Sequence, residues 1–531
     1  MKHIAVGLMA LVCVTSLSAA DADGKHWWSY VEALANDGMQ GRQTGSAEHR
    51  KAAEYVASQF EQAGLKPAGV TGFVQPVKFD VRRIIESQSS LELVRGGHAE
   101  RLMLGEDAAI SLRTDPSDSL EAPLVFAGYG LVVPEANFND FAGLDLKGKI
   151  VVTLAGGPTT IPGNLRAHYG YAAERGRFLE QAGAIGLVTI PNPKTSDVPW
   201  ARASLARLQE SMSLADPSLV DMKTIRITAN VNAAHADKWL AGSGHTIGEL
   251  LALADAGKPL PRFPLTASLR AKVKVERRQV ESQNVVASLA GSDPALRNEF
   301  VVLSAHLDHV GVGEPIKGDA IYNGAMDDAS GVASLLEIAR NLREAKTGPR
   351  RSVLFVVVTG EEKGLLGSRY FAAHPTVDAS RMIADLNIDM FLPLYPMRLL
   401  TVYGLGESDL GSDVRKVAAS MKVDVQDDPA PQRNVFVRSD QYNFIRHGIP
   451  AVKIDFGSRK GSAEETIDKT WLTNRYHAPS DDLSQPVDLI AAAAYNQFMT
   501  ALTTMIANDS ARPQWKPESF FRRFTPSHPR S

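Results

Sequence analysis

Three short polar runs between residues 304 and 362 contain the side chains best suited to chemistry. The runs are Ser304–His309, Gly324–Gly331 and Thr359–Glu362, and they supply histidine, aspartates and two adjacent glutamates. Neutral imidazole and carboxylate are the ligands that a borderline divalent ion such as zinc selects. Two adjacent glutamates also allow one carboxylate to bind metal while the other moves protons. The pattern therefore indicates a metal-dependent hydrolase.

The elements that position these residues are predicted from short apolar runs rich in β-branched residues. Four such runs predict strands at 300–305, 353–358, 382–388 and 449–454, and the apolar stripe of 329–342 predicts a helix between two of them. This alternation predicts an α/β fold with a mixed, mostly parallel central sheet covered by helices. Ligands of such sheets bind beyond the carboxyl ends of the strands. His306, the Glu361–Glu362 pair and Asp389 each follow one of the runs.

Each of these residues has an ordinary structural role when it is taken alone. A histidine after a strand is often only hydrogen-bonded, an aspartate before a helix often caps it, and paired glutamates are often surface residues. Their joint occurrence at one predicted sheet edge favours the metal site.

Residues 122–262 have a different sequence pattern, with strand-like runs bounded by glycine and none of the chemical motifs. A proline-rich run at 258–264 marks its end. Because 531 residues exceed the size at which single cores stop growing, we expect this segment to be a separate domain. It is expected either to shape access to the site or to act as a stable spacer.

The first twenty residues have the features of a secretory signal peptide. Lys2 precedes an apolar run from Ile4 to Leu17, and small residues follow at 18–20. We expect export to the periplasm or the medium, and the apolar run is too short to predict a membrane span. Cys13, the only cysteine, lies in this signal after Val12, where a lipoprotein signal needs a small residue. Metal ligands of the mature chain must then be His, Asp or Glu. The net charge of −3 gives no support for nucleic-acid binding.

The motifs together resemble peptidase family M28, the zinc aminopeptidases, with a protease-associated (PA) domain inserted. The residues that carry the resemblance are His306–Asp308, Gly324–Gly331, Thr359–Gly364, Asn387–Met390 and Tyr476–Asp481. The resemblance implies a zinc-exopeptidase-like catalytic domain at 25–115 and 265–510, and a smaller, β-rich PA-like domain at 116–264. Residues 1–20 are the predicted signal peptide, and 511–531 are predicted to be a disordered tail.

The resemblance also implies two zinc ions held by five protein ligands, with Asp327 bridging. His306 and Asp389 would complete the protein ligands of one ion, and Glu362 and His477 those of the other. Asp308 would accept the free imidazole N–H of His306, and a cis peptide is expected after Asp327. His309 lies outside the His-x-Asp pattern and is expected to take no part.

Further roles are expected for three residues near these ligands. Glu361 would be the general base for a metal-bound hydroxide that attacks the peptide carbonyl. By resemblance, Tyr476 would stabilise the oxyanion, although a packing role is the alternative. By resemblance to some relatives, Arg438 would contact substrate, and an ion pair with Asp440 or another nearby carboxylate is the alternative.

The expected activity is that of an exported metallo-aminopeptidase acting on peptides with a free N-terminus. A glutaminyl cyclase-like or carboxypeptidase-like relative on the same fold is one alternative. A non-enzymatic receptor or binding module is another, and the complete set of ligands and base argues against it. The sequence predicts neither the oligomeric state nor the preferred N-terminal residue.

Overall fold

The computed structural model describes residues 20–196 and 198–526. The predicted signal peptide, apart from residue 20, lies outside the described residues. The strands of the described residues are β1 (Lys66–Pro67), β2 (Val74–Ile84), β3 (Ser90–Arg95), β4 (His98–Leu102), β5 (Ala108–Ser111), β6 (Ser119–Ala127), β7 (Val132–Val133), β8 (Phe138–Asn139), β9 (Ile150–Leu154), β10 (Gly186–Ile190), β11 (Ser211–Leu214), β12 (Ile227–Val231), β13 (Arg262–Lys272), β14 (Val275–Leu289), β15 (Phe300–His306), β16 (Gly311–Ile316), β17 (Asp319–Tyr322), β18 (Ser352–Val358), β19 (Met382–Asn387), β20 (Leu399–Tyr403), β21 (Asp424–Gln426) and β22 (Ala451–Phe456).

The α-helices of the described residues are α1 (20–35), α2 (Ala47–Gln62), α3 (Gly163–Gly170), α4 (Ala172–Gln181), α5 (Trp200–Ala203), α6 (Asp237–Leu240), α7 (Ile247–Asp255), α8 (Ser330–Glu344), α9 (Leu366–Ala373), α10 (Leu410–Ser420), α11 (Gln441–Arg446), α12 (Ala463–Asn474) and α13 (Leu489–Asn508).

The chain divides into two compact units whose boundaries differ from those expected from the sequence. The described part of unit 1 comprises 20–77, 282–429 and 439–526, and unit 2 comprises 78–196, 198–281 and 430–438. Residues 78–115 and 265–281 were expected in the catalytic part but belong to unit 2. The reason is strand pairing, because β13 lies between β3 and β6 in the sheet of unit 2. Apolar runs in a sequence do not show which strands will pair.

The central sheet of unit 1 has the order β14-β18-β15-β19-β22-β20-β21. Strands β18, β15, β19 and β22 are parallel to one another. Strand β14 pairs antiparallel with β18, β20 pairs antiparallel with β22, and β21 pairs parallel with β20. The predicted α/β fold with a mixed, mostly parallel sheet is therefore confirmed. Every residue of β18 is buried, as expected for a strand covered on both faces.

Helix α8 shows how the sequence pattern becomes packing in unit 1. The predicted apolar stripe is buried along its whole length, and it comprises Val332, Leu335, Leu336, Ala339 and Leu342. The helix contacts β15, α2 and α13. Burial of each large apolar side chain in this stripe contributes roughly 1.5–3 kcal/mol. The start of α8 is thereby fixed next to the carboxyl end of β15.

Helix α13 has the length and apolar composition of a membrane-spanning helix. In the structure, 56% of the most apolar stretch of this helix is buried inside the protein. Tyr495, Phe498, Met499 and Leu502 belong to the core of unit 1. Core helices satisfy the same length and composition test, so this helix is weak evidence for a membrane span.

Unit 2 contains its own sheet, with the order β4-β3-β13-β6-β9-β10-β12-β5. Its middle strands β6, β9, β10 and β12 are parallel, and the other neighbours are antiparallel. A buried apolar cluster in unit 2 includes Phe141 from the segment before β9, Val151 of β9 and Leu179 of α4. Unit 2 therefore has a hydrophobic core of its own.

The predicted disordered tail is wrong for residues 511–526. Trp515 is buried and its indole N–H donates to the carbonyl of Gly448 at 3.1 Å. Phe521 is fully buried within a short 3-10 helix at Phe520–Phe524. The aromatic residues among the prolines and arginines bury enough apolar surface to order this segment against unit 1.

Candidate metal centre

The candidate centre lies at the carboxyl edge of the parallel part of the sheet in unit 1. Strand β15 ends at His306, which pairs in register with Val358 at the end of β18. Strand β19 ends at Asn387, which pairs with Ser304 of β15. Because these three strands are parallel, the residues that follow them meet at one edge. Glu361, Glu362 and Asp389 therefore lie beside His306, as expected from the sequence.

The first group of potential ligands consists of His306, Asp327 and Asp389. His306 Nε2 lies 3.2 Å from Asp327 Oδ1 and 3.8 Å from Asp389 Oδ1. The three ligand atoms lie within 4.8 Å of one another. Burial alone would lower the pKa of His306, but the carboxylates of Glu361, Asp327 and Asp389 outweigh it and raise that pKa well above its ordinary value. The group therefore attracts positive charge.

The second group contains Glu362 and His477 and shares Asp327 with the first. His477 Nε2 lies 3.2 Å from Asp327 Oδ2 and 3.1 Å from Glu362 Oε2. Asp327 thus gives one carboxylate oxygen to each group, which is the arrangement of a bridging ligand. The peptide bond between Asp327 and Asp328 is cis, as the family resemblance implied. The structure brings together all five residues predicted as ligands.

His309 also belongs to this second group, contrary to the expectation that it takes no part. Its ring is fully buried, and its Nδ1 lies 2.8 Å from Glu362 Oε1 and 3.8 Å from Asp327 Oδ2. These three residues form a potential metal-binding group in their own right. The chain turns directly after Asp308, and this turn brings the side chain three positions after His306 back to the same edge.

The donor atoms fit a divalent cation. Within the described part of the chain, Asp327 Oδ2, Glu362 Oε1 and both ring nitrogens of His309 are buried without a hydrogen bond. Four tetrahedral ligands about 2.0–2.1 Å from zinc lie about 3.3 Å apart, which is close to the distances of 3.1–3.2 Å at His477 and His306. Imidazole and carboxylate ligands without thiolate suit zinc, cobalt or manganese.

Asp308 contacts its predicted partner through a different atom. The backbone carbonyl of Asp308, rather than its carboxylate, lies 3.0 Å from His306 Nδ1 and accepts that N–H. The buried carboxylate accepts from the Thr44 hydroxyl at 2.9 Å and from the Glu361 backbone N–H at 3.1 Å. The carboxylate therefore positions the segment that contains the expected general base, and the carbonyl fixes the tautomer that leaves His306 Nε2 free to bind metal.

Glu361 and Glu362 are adjacent but have opposite electrostatic environments. Burial raises the pKa of Glu361 well above its ordinary value, and the nearby charge of Glu362 adds to this shift. Burial would also raise the pKa of Glu362, but His477 and His309 outweigh it and hold that pKa well below its ordinary value. Glu362 is therefore the carboxylate that faces cations, and Glu361 is the one that can hold a proton.

Asp328 links the segments that carry the ligands. Its fully buried carboxylate accepts from the backbone N–H groups of His306 at 3.3 Å, Met390 at 3.0 Å and Gly331 at 3.0 Å. A Cβ atom at Gly331 would lie 2.4 Å from Asp328 Oδ1, so only glycine fits there. Asp328 therefore does more than bind the first turn of α8, because it also holds backbone N–H groups at the end of β15 and shortly after β19.

Asp481 is a positioning residue for which the sequence analysis gave no role. Its Oδ1 accepts from the Met326 N–H at 2.9 Å, and its Oδ2 accepts from the Asp327 N–H at 3.0 Å. Gln485 donates to the same Oδ1 at 2.9 Å. Burial raises the pKa of Asp481 to about 7. The position of Asp481 four residues after His477 was the one available signal, since it ends the quoted Tyr476–Asp481 motif.

Arg42 is a second residue that the sequence analysis missed. It is fully buried, and it donates to the backbone carbonyls of Leu34 at 2.6 Å, Leu307 at 2.8 Å, Asn323 at 2.8 Å and Gly324 at 2.9 Å. Burial lowers the pKa of Arg42 to about 10, while the carboxylates of Asp481, Asp308 and Asp328 favour its charge. No motif marks this arginine in the sequence.

Tyr476 and Arg438 have different surroundings. The ring of Tyr476 packs against His477, with ring centroids 4.0 Å apart, so Tyr476 lies beside the second group. Arg438 is exposed and belongs to unit 2, where its guanidinium donates to the carbonyl of Arg433 at 3.4 Å. The expected roles of both residues in oxyanion and substrate binding stay predictions.

The fold and the site define an α/β protein with a cluster of histidine and carboxylate side chains at the carboxyl edge of its sheet. Residues 284–503 match the model of peptidase family M28. This segment contains all five predicted metal ligands and both glutamates. This part of the chain is therefore similar to peptidase family M28.

Known proteins of similar sequence carry aminopeptidase names. The chain is 29% identical over 275 residues to probable leucine aminopeptidase 2 of Aspergillus oryzae, covering 49% of this chain and 51% of that protein. It is 30% identical over 258 residues to aminopeptidase Y of Saccharomyces cerevisiae, covering 47% and 42%. The chain thus spans about half the length of the curated relatives it matches.

A solved structure extends the similarity of fold to most of the chain. The aminopeptidase from Aneurinibacillus sp. strain AM-1 superposes with a TM-score of 0.55 at 20% identity. The superposition covers 92% of this chain and 95% of the other. This likeness concerns the fold.

Proposed function

We propose that this protein is an exported di-zinc metallo-aminopeptidase that removes N-terminal residues from peptides. One observation carries the proposal: Asp327 gives Oδ1 to a group with His306 and Asp389, and Oδ2 to a group with Glu362 and His477. A carboxylate shared in this way is the bridging element of two-metal hydrolytic sites, in which the ions lie about 3.5–4 Å apart.

The five ligands would hold two ions, and their chemistry favours zinc. When bound, such ions polarise a carbonyl group and lower the pKa of bound water to about 7. The residues around the centre keep its ligands in place. Asp328 links His306 and Met390 through backbone hydrogen bonds, and Asp481 holds the backbone of Asp327.

Glu361 would accept a proton from the attacking water and deliver it to the leaving amine. Three features support this role: Glu361 is adjacent to a ligand, its backbone is held by the Asp308 carboxylate, and burial raises its pKa well above the ordinary value. Raising the pKa of a glutamate brings it closer to the operating pH, where one carboxyl group can accept a proton in one step and donate it in the next. Tyr476, packed against His477, would donate a hydrogen bond from its hydroxyl to the developing oxyanion.

The choice of an N-terminal substrate is supported by two relatives that are named aminopeptidases. By resemblance, Arg438 would contact the peptide. We also propose that unit 2 contains the PA-like domain. Export would follow from the signal-like residues 1–20.

The proposal is tested with aminoacyl-nitroanilides and their N-acetylated twins, each assayed with and without a chelator. We expect hydrolysis of the free amines only, loss of activity with the chelator, and recovery on addition of zinc. An E361Q variant tested in parallel would keep its metal but lose turnover, which controls for a contaminating peptidase. Hydrolysis of the acetylated series, or activity that survives the chelator, would contradict the proposal.

A further inference from the structure

His309 has the surroundings of a metal ligand rather than those of a structural histidine. Its side chain is fully buried, and neither ring nitrogen has a hydrogen bond of normal geometry among the described residues. An imidazole that is buried without partners loses the hydrogen bonds it makes in water, at a cost that structures normally avoid. Its Nδ1 nevertheless lies 2.8 Å from Glu362 Oε1 and 3.8 Å from Asp327 Oδ2.

The geometry of these contacts favours a shared metal ion over a hydrogen bond between His309 and Glu362. The distance between His309 Nδ1 and Glu362 Oε1 is short enough for a hydrogen bond. The direction is not suitable, however, so neither atom has a hydrogen-bond partner among the described residues. Ligands of a common ion point at the ion and not at one another. The distances of 2.8 and 3.8 Å bracket the spacing of about 3.3 Å expected for ligands of one zinc ion.

The surroundings also hold the His309 ring in this position. A Cβ atom at Gly324 would lie 2.5 Å from His309 Cγ, so the absence of a side chain at Gly324 makes room for the ring. Gly324 has a φ of +62°, which favours glycine independently. On its other side, His309 lies with its ring centroid 5.7 Å from that of His477 in an edge-on arrangement. Both imidazoles thus approach the same pair of carboxylates.

We propose that His309 is a fourth protein ligand, through Nδ1, of the ion held by Asp327, Glu362 and His477. The inference rests on the proposed function, since it requires a metal at this group. It makes the two sites unequal: the second has four protein ligands, whereas the first has three, namely His306, Asp327 and Asp389. A site with four protein ligands is closed in the manner of structural zinc sites, and a site with three keeps an open position. The second ion should therefore be held more tightly.

The decisive experiment uses cobalt as a spectroscopic probe of direct ligation. Cys13 is the only cysteine of the chain, so an H309C variant adds one thiol whose signal is obtained by difference from wild type. A thiolate bound to Co²⁺ gives an intense charge-transfer absorption in the near ultraviolet, and a thiolate that is merely nearby does not. The matched control is H374C, because His374 is exposed at the end of α9 and lies outside both groups.

We expect cobalt-loaded H309C to show the charge-transfer band, and wild type and H374C to lack it. A second variant, H309L, should bind the tighter of two zinc ions about 100-fold more weakly than wild type, at the upper end of the range for residues that support metal ligands. Its metal content is measured by dialysis against buffered free zinc, with no reference to activity.

The outcomes separate this inference from the proposed function. Two bound ions in wild type, with no band in H309C and an unchanged affinity in H309L, would overturn the ligand role and leave the proposed function intact. A band in H309C together with weaker binding in H309L supports the inference. Wild type that binds no metal at all would overturn both.

Discussion

Replacing Asp481 by asparagine tests whether the Asp481 carboxylate positions Asp327, the proposed bridging ligand. The carboxylate accepts from the Met326 N–H with one oxygen and from the Asp327 N–H with the other. Asparagine keeps only one oxygen. If that oxygen stays with Met326 and Gln485, the amide nitrogen faces the Asp327 N–H, and two donors then oppose each other.

Above pH 7, where Asp481 with its pKa of about 7 is ionised, the cost follows from the loss of one buried, charge-assisted hydrogen bond and from the donor left unsatisfied. A hydrogen bond to a charged group contributes about 1.5–3 kcal/mol, and an unsatisfied buried donor costs a comparable amount that overlaps with this loss. We therefore expect D481N to lower the free energy of unfolding of the metal-free protein by about 2–4 kcal/mol. Because Asp327 belongs to both ligand groups, zinc affinity should also fall, by about 10–100-fold.

The assay compares D481N with the neighbouring change D482N. Asp482 Oδ1 accepts from the backbone and hydroxyl of Ser484 in a partly exposed turn. The same chemical change there should alter stability by no more than about 0.5 kcal/mol. Urea unfolding of the metal-free proteins gives stability, and dialysis against buffered zinc gives affinity. If D481N and D482N behave alike in both measurements, Asp481 does not position Asp327.

The remaining predictions concern proton transfer, metal binding and acid stability. E361Q should keep the metal content of wild type and lose about 10²–10⁴-fold in kcat; a kcat within tenfold of wild type would remove Glu361 as the base. E362A should retain less zinc than wild type on elemental analysis, because one proposed ligand of the second group is lost, and an unchanged stoichiometry would contradict that assignment. Burial lowers the pKa of His49 from 6.5 to about 3, so between these pH values the unfolded chain binds a proton that the folded chain does not. Wild type should thus lose about 1.4 kcal/mol of stability per pH unit below pH 6.5 relative to H49Q, and parallel pH profiles in urea unfolding would show that His49 is not responsible.

The sequence was sufficient for the parts of the site that are local. The apolar stripe of α8 and the strands β15, β18 and β19 are short patterns, and burial confirms them. Parallel strands bring their carboxyl ends to one edge, so residues directly after them could be expected together. His306, the Glu361–Glu362 pair and Asp389 met this condition.

Local pattern could not predict how side chains distant in sequence pair. Arg42 binds carbonyls more than 260 residues away, at Leu307, Asn323 and Gly324. Such a contact has no periodicity or spacing to reveal it. The position of His309 beside Glu362 could not be predicted for a related reason, since only the path of the backbone after Asp308 decides where its ring lies. Asp308 was assigned the correct partner but the wrong atom.

The sequence by itself thus determined the residue types of the candidate metal centre, the strands that precede them and the mixed α/β architecture. These features depend on hydrophobic periodicity and on ligand chemistry, which are properties of short segments. Tertiary structure alone decided where unit 1 ends within β2 and β14, which backbone groups Asp328 and Asp481 hold, and that His309 joins the second group. These features depend on which buried polar groups find partners when distant segments pack, and that pairing is settled only in three dimensions.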